Sequence, residues 1–273
     1  DVSNNIYGFD QDAALLKDSA RKFFSEKLPV DKLHELVAND PTLGRAPRSN
    51  WSEELWQEMI DLGWSMVAVP ESAGGLGMPA VAVAGLMEEC GRAAIPSPML
   101  STLATTYVLA AAEAIEPLAD ICSGEAATLA ISGSRDAWDL ASTEVTYNNG
   151  KLSGTSYYVQ DVDKVQKILV SAHSDSEILL FWVDKKSNGV NIDLDTIVDL
   201  TRDQGRVSFE AVEAKPISFK GLSALVEAMP KIWMLVSADI AGAAEWQLQT
   251  TVEYVNARKQ FDKALGFFQA IKH

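Results

Sequence analysis

Apolar residues recur every three or four positions from about residue 10 to residue 124, and this period predicts a bundle of helices. Asp10 can cap the first helix, and Pro29 ends it. A glycine-rich segment, residues 72–77, then leads to two alanine-rich helices near residues 79–93 and 98–114. The low polarity of these two helices indicates that they are buried on most sides.

The period changes to two between about residues 126 and 219. Eight short segments fit strands: residues 127–132, 143–147, 151–153, 157–159, 167–172, 178–184, 196–200 and 205–209. The sequence Asn-Asn-Gly at 148–150 is typical of a tight hairpin turn. Short strands without intervening helices predict an antiparallel β-barrel or sandwich.

A helical pattern returns after Gly221, and Pro230 suits the first turn of a long helix that continues toward Arg258. A second helix is predicted to begin near Ala264, shortly before the end of the chain at His273. Such a short helix leaves its apolar residues without a packing partner, so we expect either a truncated chain or a second polypeptide that covers them.

These three blocks predict an α+β multi-domain fold. We expect an all-α N-terminal domain at residues 1–124, a β domain at 125–219, and the start of a C-terminal helical bundle at 220–273.

Composition narrows the function of the 273-residue chain. A net charge of −15 argues against nucleic-acid binding, which depends on Lys and Arg contacts to phosphates. No apolar run is long enough to span a membrane, and the N-terminus lacks the pattern of a secretion signal, so a cytoplasmic location is expected. Two cysteines and three histidines fit no metal-ligand spacing, so we expect no metal site.

Four short motifs follow one another in the first half of the chain: Gly63-Trp64, Val69-Pro70-Glu71, Gly74-Gly75-Leu76-Gly77 and Glu88-Glu89-Cys90-Gly91-Arg92. Their order resembles the N-terminal helical domain of the acyl-CoA dehydrogenases. Residues 257–261 and 268–271 are similar to the C-terminal-domain motif of the same family, and the resemblance covers nearly the whole chain. By itself, the glycine-rich segment predicts only a turn between helices.

The resemblance implies that FAD is the cofactor and that Arg258 reaches its phosphates in a neighbouring subunit. A guanidinium is a planar donor that stays charged when partly buried, which suits a pyrophosphate. Gln260 and Phe261 are expected beside it, and Gln269 matches a further position near the cofactor. Alternatively, Arg258 only complements the dipole at a helix C-terminus. The family's usual glycine after the phenylalanine is Asp262 here, which disfavours a nearby anion.

Two further segments of the family hydrogen-bond the flavin ring, and both have diverged in this chain. Ser132 stands in the region of the family's threonine, without the usual Glu-Pro. In the second segment Tyr158 replaces a tryptophan, and Gln160 replaces a threonine but keeps a donor. The alternative for Tyr158 is an ordinary aromatic residue on a strand.

The family reaction takes a proton from the α carbon of an acyl-CoA thioester and transfers a β hydride to the flavin. Where a minority of the family carries the catalytic base, this chain has Ile232, followed by Trp233. Asp239 and Glu245 lie further along the same predicted helix, and either is a candidate for a displaced base. Both are more simply interpreted as solvated or paired carboxylates. The catalytic residue is therefore unassigned.

The resemblance implies an oligomer of related subunits, a dimer or tetramer of one or two kinds, and an electron-transfer flavoprotein as electron acceptor. A second hypothesis is a subunit without its own chemistry that completes the cofactor site of a partner. An oxidase on the same fold is a third.

Overall fold

The computed structural model describes residues 9–38, 50–135 and 138–273. Its helices are α1 (Gln11–Lys27), α2 (Val30–Val37), α3 (Glu53–Asp61), α4 (Ala80–Ala93), α5 (Met99–Ala111), α6 (Ile115–Cys122), α7 (Gly221–Ala257) and α8 (Gln269–Lys272). Its strands are β1 (Ala127–Ala130), β2 (Glu144–Asn148), β3 (Lys151–Gln160), β4 (Lys167–Ser174), β5 (Glu177–Asp184), β6 (Val190–Leu194), β7 (Gln204–Glu213), β8 (Pro216–Ser218), β9 (Lys259–Gln260) and β10 (Lys263–Ala264).

The N-terminal helices follow the predicted pattern. The carboxylate of Asp10 accepts a hydrogen bond from the backbone N–H of Ala13, which caps α1 as expected. Helices α4 and α5 are largely buried, as their low polarity predicted. The short helices α2 and α6 were not predicted, because Pro29 and Pro117 obscure the helical period at their first turns.

Seven strands form one path in the order β6-β7-β3-β2-β4-β5-β8, and β1 pairs with β4. Most pairs are antiparallel, but β1 and β2 both run parallel to β4, so the sheet is mixed. The two predicted strands at 151–153 and 157–159 are one strand, β3, whose pairing with β7 has two register shifts, between Leu152 and Gly154 and between Ser156 and Val159. The helical, sheet and helical blocks confirm the predicted fold class.

The strand predicted at 196–200 was wrong. In this segment the carboxylate of Asp199 accepts hydrogen bonds from the backbone and hydroxyl of Thr201, which makes a local turn. Val198 is 88% exposed, so the apolar alternation here does not mark a buried face. Strands β6 and β8 were missed on either side of the long strand β7.

The prediction that Pro230 lies in the first turn of the long C-terminal helix was wrong. Helix α7 begins at Gly221, and Pro230 lies inside it instead of in its first turn. An interior proline costs about 3 kcal/mol, but the preceding turns bury Ala224, Leu225 and Ala228 in the main core, which offsets that cost. The predicted second helix near Ala264 is present as a single 3-10 turn, Leu265–Phe267, which follows the β9–β10 hairpin and leads into α8 at Gln269.

Helices α4 and α7 cross at unusually short range because a glycine faces the other helix on each side. A Cβ on Gly91 would lie 1.9 Å from the backbone oxygen of Asp239, and a Cβ on Gly242 would lie 1.8 Å from that of Glu88. The crossing joins α7 to the N-terminal helices, and both contribute to a single hydrophobic core.

We expect Gly242→Ala to lower the free energy of unfolding by about 2 kcal/mol or more, because a rigid backbone oxygen occupies the space of the new methyl group. Urea unfolding followed by circular dichroism measures the change. Ser237→Ala, at an exposed position of the same helix, is the matched control and should change stability by less than about 0.5 kcal/mol. Equal stability of both variants would show that the helices separate without cost.

Candidate functional site

A β-hairpin projects from the end of α7. Its turn consists of Phe261 and Asp262, both with positive φ (54° and 60°), which matches the twist of a two-residue hairpin. The backbone oxygen of Arg258 accepts a hydrogen bond from the N–H of Leu265 at 2.9 Å and closes the base of the hairpin. Phe261 at the tip is 87% exposed. A large aromatic side chain held in a left-handed backbone and exposed to water is typical of a contact surface.

The guanidinium of Arg258 lies at the base of this hairpin. Its side chain is exposed and forms no hydrogen bond or ion pair with any residue that the structure describes. Its backbone is extended (ψ 122°), so the residue has already left the helix. Gln260 lies on the same hairpin, and Gln269 begins α8 immediately after it. The structure thus places the four C-terminal candidates on one exposed feature.

The candidates in the sheet form a second group around the second register shift of β3, between Ser156 and Val159. The backbone oxygen of Ser132 accepts a hydrogen bond from the N–H of Tyr157 at 3.0 Å, which brings Ser132 beside the neighbouring Tyr158. Tyr158 has a positive φ of 56°, is 46% exposed, and its hydroxyl donates to the backbone oxygen of Ser134 at 3.2 Å. The partly exposed ring of Tyr158 and the half-buried Ser132 therefore lie close together at the surface of the sheet.

Gln160 is less free to donate a hydrogen bond to a ligand than the sequence indicated. Its side-chain nitrogen donates to the amide oxygen of Gln204 at 2.8 Å and to the backbone oxygen of Tyr158 at 3.2 Å. Both amide hydrogens are thus occupied, and only the oxygen remains to accept. No hydrogen bond, ion pair or ring contact among the described residues joins this group to the C-terminal hairpin.

A buried charge cluster lies directly behind Gln160, and the sequence analysis missed it. The ammonium of Lys164 donates to Asp161 at 2.9 Å and to Asp203 at 2.5 Å, and all three residues are at most 3% exposed. Ser101 of α5 donates to the other oxygen of Asp161 at 3.2 Å. Burial raises the pKa of Asp161, and the charge of Lys164 opposes that rise. Only the spacing of Asp161 and Lys164 was visible in the sequence.

The two carboxylates considered as displaced bases are both in ion pairs. Asp239 accepts from Arg202 at 2.8 Å, and Arg202 also donates to the backbone oxygen of Ile95 at 2.8 Å. Glu245 is 45% exposed and lies within 4 Å of two arginines. The interpretation of both as paired or solvated groups fits this geometry.

The chain matches the family model described as acyl-CoA dehydrogenase, N-terminal domain, over residues 10–125. It is 31% identical over 226 residues to acyl-CoA dehydrogenase IpdE2 of Mycobacterium tuberculosis, which covers 82% of this chain and 59% of that protein. The chain belongs to the acyl-CoA dehydrogenase family. It spans about three fifths of the length of this curated relative.

Solved structures of this family share the fold along nearly the whole chain. The Tcur3481-Tcur3483 steroid ACAD variant is 28% identical with a TM-score of 0.81, and the match covers 96% of this chain and 72% of that one. The ChsE4-ChsE5 complex from Mycobacterium tuberculosis is 24% identical with a TM-score of 0.82, covering 96% and 71%. The resemblance inferred from the sequence motifs is confirmed.

The described residues of this chain bear on two further features, a metal site and a membrane span. They contain no group of three His, Cys, Asp or Glu residues placed to hold a metal ion. Among them, no helix has both the length and the apolar character needed to cross a membrane.

We expect Lys164→Met to destabilise the fold by about 3–5 kcal/mol at neutral pH, because two buried carboxylates lose their cation. The deficit should shrink as the pH falls from 8 to 5.5. Without Lys164 the pKa of Asp161 in the folded protein rises further. A raised folded-state pKa lowers stability at a pH where the carboxyl is ionised in the unfolded chain, and this loss becomes smaller once the folded protein takes up the proton at lower pH. Urea unfolding across this range measures the effect. A loss of stability that grows on acidification would contradict the role of Lys164 as the cation that stabilises these two carboxylates.

Proposed function

We propose that this chain is a subunit of an acyl-CoA dehydrogenase assembly that catalyses FAD-dependent α,β-dehydrogenation of an acyl-CoA thioester. The observation that supports the proposal most directly is the exposed hairpin after α7, at whose base the guanidinium of Arg258 has no partner among the described residues. Family membership and the match to IpdE2 support the reaction class.

Arg258 is proposed to bind the pyrophosphate of FAD in a neighbouring subunit. Its donors are unused among the described residues, it carries a permanent charge, and no contact among those residues joins it to the sheet group of the same chain. Phe261 at the exposed tip would pack against that neighbour, with Gln260 and Gln269 beside it. Asp262 adds a negative charge next to this position and weakens the attraction.

The ring side of the cofactor would meet the group in the sheet. The exposed ring of Tyr158 offers a stacking surface, and the hydroxyl of Ser132 offers a donor to the ring edge. FAD, when bound, supplies the acceptor for the hydride that leaves the β carbon of the thioester. The guanidinium of Arg258, free among the described residues, suits a pyrophosphate. The residues proposed for the flavin ring fit it only in part, because both amide hydrogens of Gln160 are already donated within the chain.

This partial fit favours a second candidate function, a subunit that completes the cofactor site of a partner without chemistry of its own. Asp239 is held by Arg202 at 2.8 Å, so a base at this position would have to break a partly buried ion pair. At the family's alternative base position this chain has the apolar Ile232. Under this candidate Arg258 keeps its role, and the base comes from the partner.

The remaining assignments are also proposals. Large exposed apolar residues cover the outer side of α7 and the hairpin, which supports assembly with a related subunit. They include Val226, Trp233, Ile240, Leu248, Val252 and Phe261. We propose a cytoplasmic location and an electron-transfer flavoprotein as the electron acceptor.

We expect Arg258→Gln to weaken FAD binding by roughly tenfold or more, because a charge-assisted contact to phosphate is lost. Flavin absorbance per chain is measured after desalting, for the chain alone and after co-expression with acyl-CoA dehydrogenase-type subunits of its own organism. Arg206→Gln, an exposed arginine of the sheet that pairs with Asp193, is the control and should retain FAD.

Turnover is then measured with acyl-CoA thioesters, including a steroid-derived one because one structural relative is named a steroid ACAD. A yellow, active chain supports the leading function. A colourless chain that makes a partner yellow and active supports the second candidate. If no preparation retains flavin or oxidises a thioester, both are wrong.

A further inference from the structure

A pocket of about 560 Å³ lies between α1, α2, the C-terminal end of α4 and the middle of α7. Its walls are mostly apolar and include Phe24, Leu28, Leu33 and Trp246. No residue of the sheet lines it, so it is separate from the group around Tyr158. Its size falls in the range of small-molecule sites, roughly 300–1,000 Å³.

Two arginines of the pocket wall give one part of it a distinct chemistry. Arg21 of α1 makes two hydrogen bonds, at 2.8 and 3.0 Å, to the carboxylate of Glu89, which is 1% exposed. Arg92, in the last turn of α4, donates from one terminal nitrogen to the side-chain oxygen of Gln249 at 2.5 Å. The buried carboxylate of Glu89 is therefore neutralised by Arg21, and Arg92 has only a neutral hydrogen-bond acceptor.

Both guanidiniums retain donors without an acceptor. Nη1 of Arg92 is buried and makes no hydrogen bond. Nη1 of Arg21 has no acceptor among the described residues, and this side chain is 45% exposed. An unsatisfied donor on a buried cation is costly, so it favours an anionic acceptor that can reach it.

Glu245 of α7 approaches the same two cations without satisfying them. One of its oxygens lies 3.5 Å from Nη2 of Arg21 and 3.8 Å from Nη1 of Arg92, and the side chain is 45% exposed. These distances bring the two guanidiniums together around a single acceptor position. They also leave room for a better-placed carboxylate, because neither contact has the short length of a strong charge-assisted hydrogen bond.

We propose that this pocket binds a hydrophobic monocarboxylate. The apolar tail lies between α1, α2 and Trp246, and the carboxylate binds Arg92 and Arg21 after a small turn of the Arg92 side chain. Glu245 acts as an internal competitor for the same two cations. The site is independent of the proposed flavin chemistry, since none of its lining residues belongs to the cofactor candidates.

Isothermal titration with dodecanoate, below its micelle concentration, tests the proposal on the intact chain. Dodecan-1-ol has the same tail without the charge and is the ligand control. We expect saturable binding of dodecanoate at least tenfold tighter than that of the alcohol.

Two charge variants should shift the affinity in opposite directions. Arg92→Gln should weaken dodecanoate binding by roughly tenfold or more, and Glu245→Gln should strengthen it several-fold, because each alters the same charge-assisted contact. Glu227→Gln removes an equal charge from an exposed position of α7 and should leave the affinity unchanged. Circular dichroism confirms that each variant is folded.

Three outcomes would overturn the proposal. Absence of saturable binding shows that the pocket takes no such ligand. Equal affinity for the acid and the alcohol shows that the arginines do not recognise a carboxylate. Weaker binding in Glu245→Gln than in Glu227→Gln shows that Glu245 supports the site and does not compete with the ligand.

Discussion

The crossing of α4 and α7 through Gly91 and Gly242 is the constraint on which the rest of the structure depends. Backbone oxygens occupy the space where side chains would be, so the two helices approach as closely as their chains permit. This contact attaches a helix roughly 55 Å long to the N-terminal bundle. The position of everything after Gly221, including the hairpin with Arg258, follows from it.

The same crossing makes several carboxylates structural. Asp239 reaches Arg202 next to the glycine contact, and Glu245 reaches the arginines of α1 and α4 one to two turns further along. An ion pair that is removed from water holds its members strongly, because separation leaves an uncompensated charge. A proton acceptor for catalysis must be free to change its charge, and Asp239, which accepts from Arg202 at 2.8 Å, is not.

A second charged junction ties the sheet to the helices. Asp161, Lys164 and Asp203 lie behind the candidate ring-binding segment, and Ser101 connects them to α5. Gln160 is held in place on the other side by Gln204. The segment is therefore rigid, with a few surface groups left to meet a ligand. Rigid support combined with few free donors is consistent with a subunit whose site is completed by another chain.

The sequence alone determined the order of the three blocks, the cap at Asp10, the burial of α4 and α5, and the family. These features depend on local periodicity and on short motifs, which a single chain displays directly. Tertiary structure decided the rest. Pro230 lies inside α7 because core contacts outweigh its local preference, and residues 196–200 form no strand because no neighbour pairs with them. The charge cluster and the pocket join residues that are far apart in sequence, and only folding brings such groups within hydrogen-bonding distance.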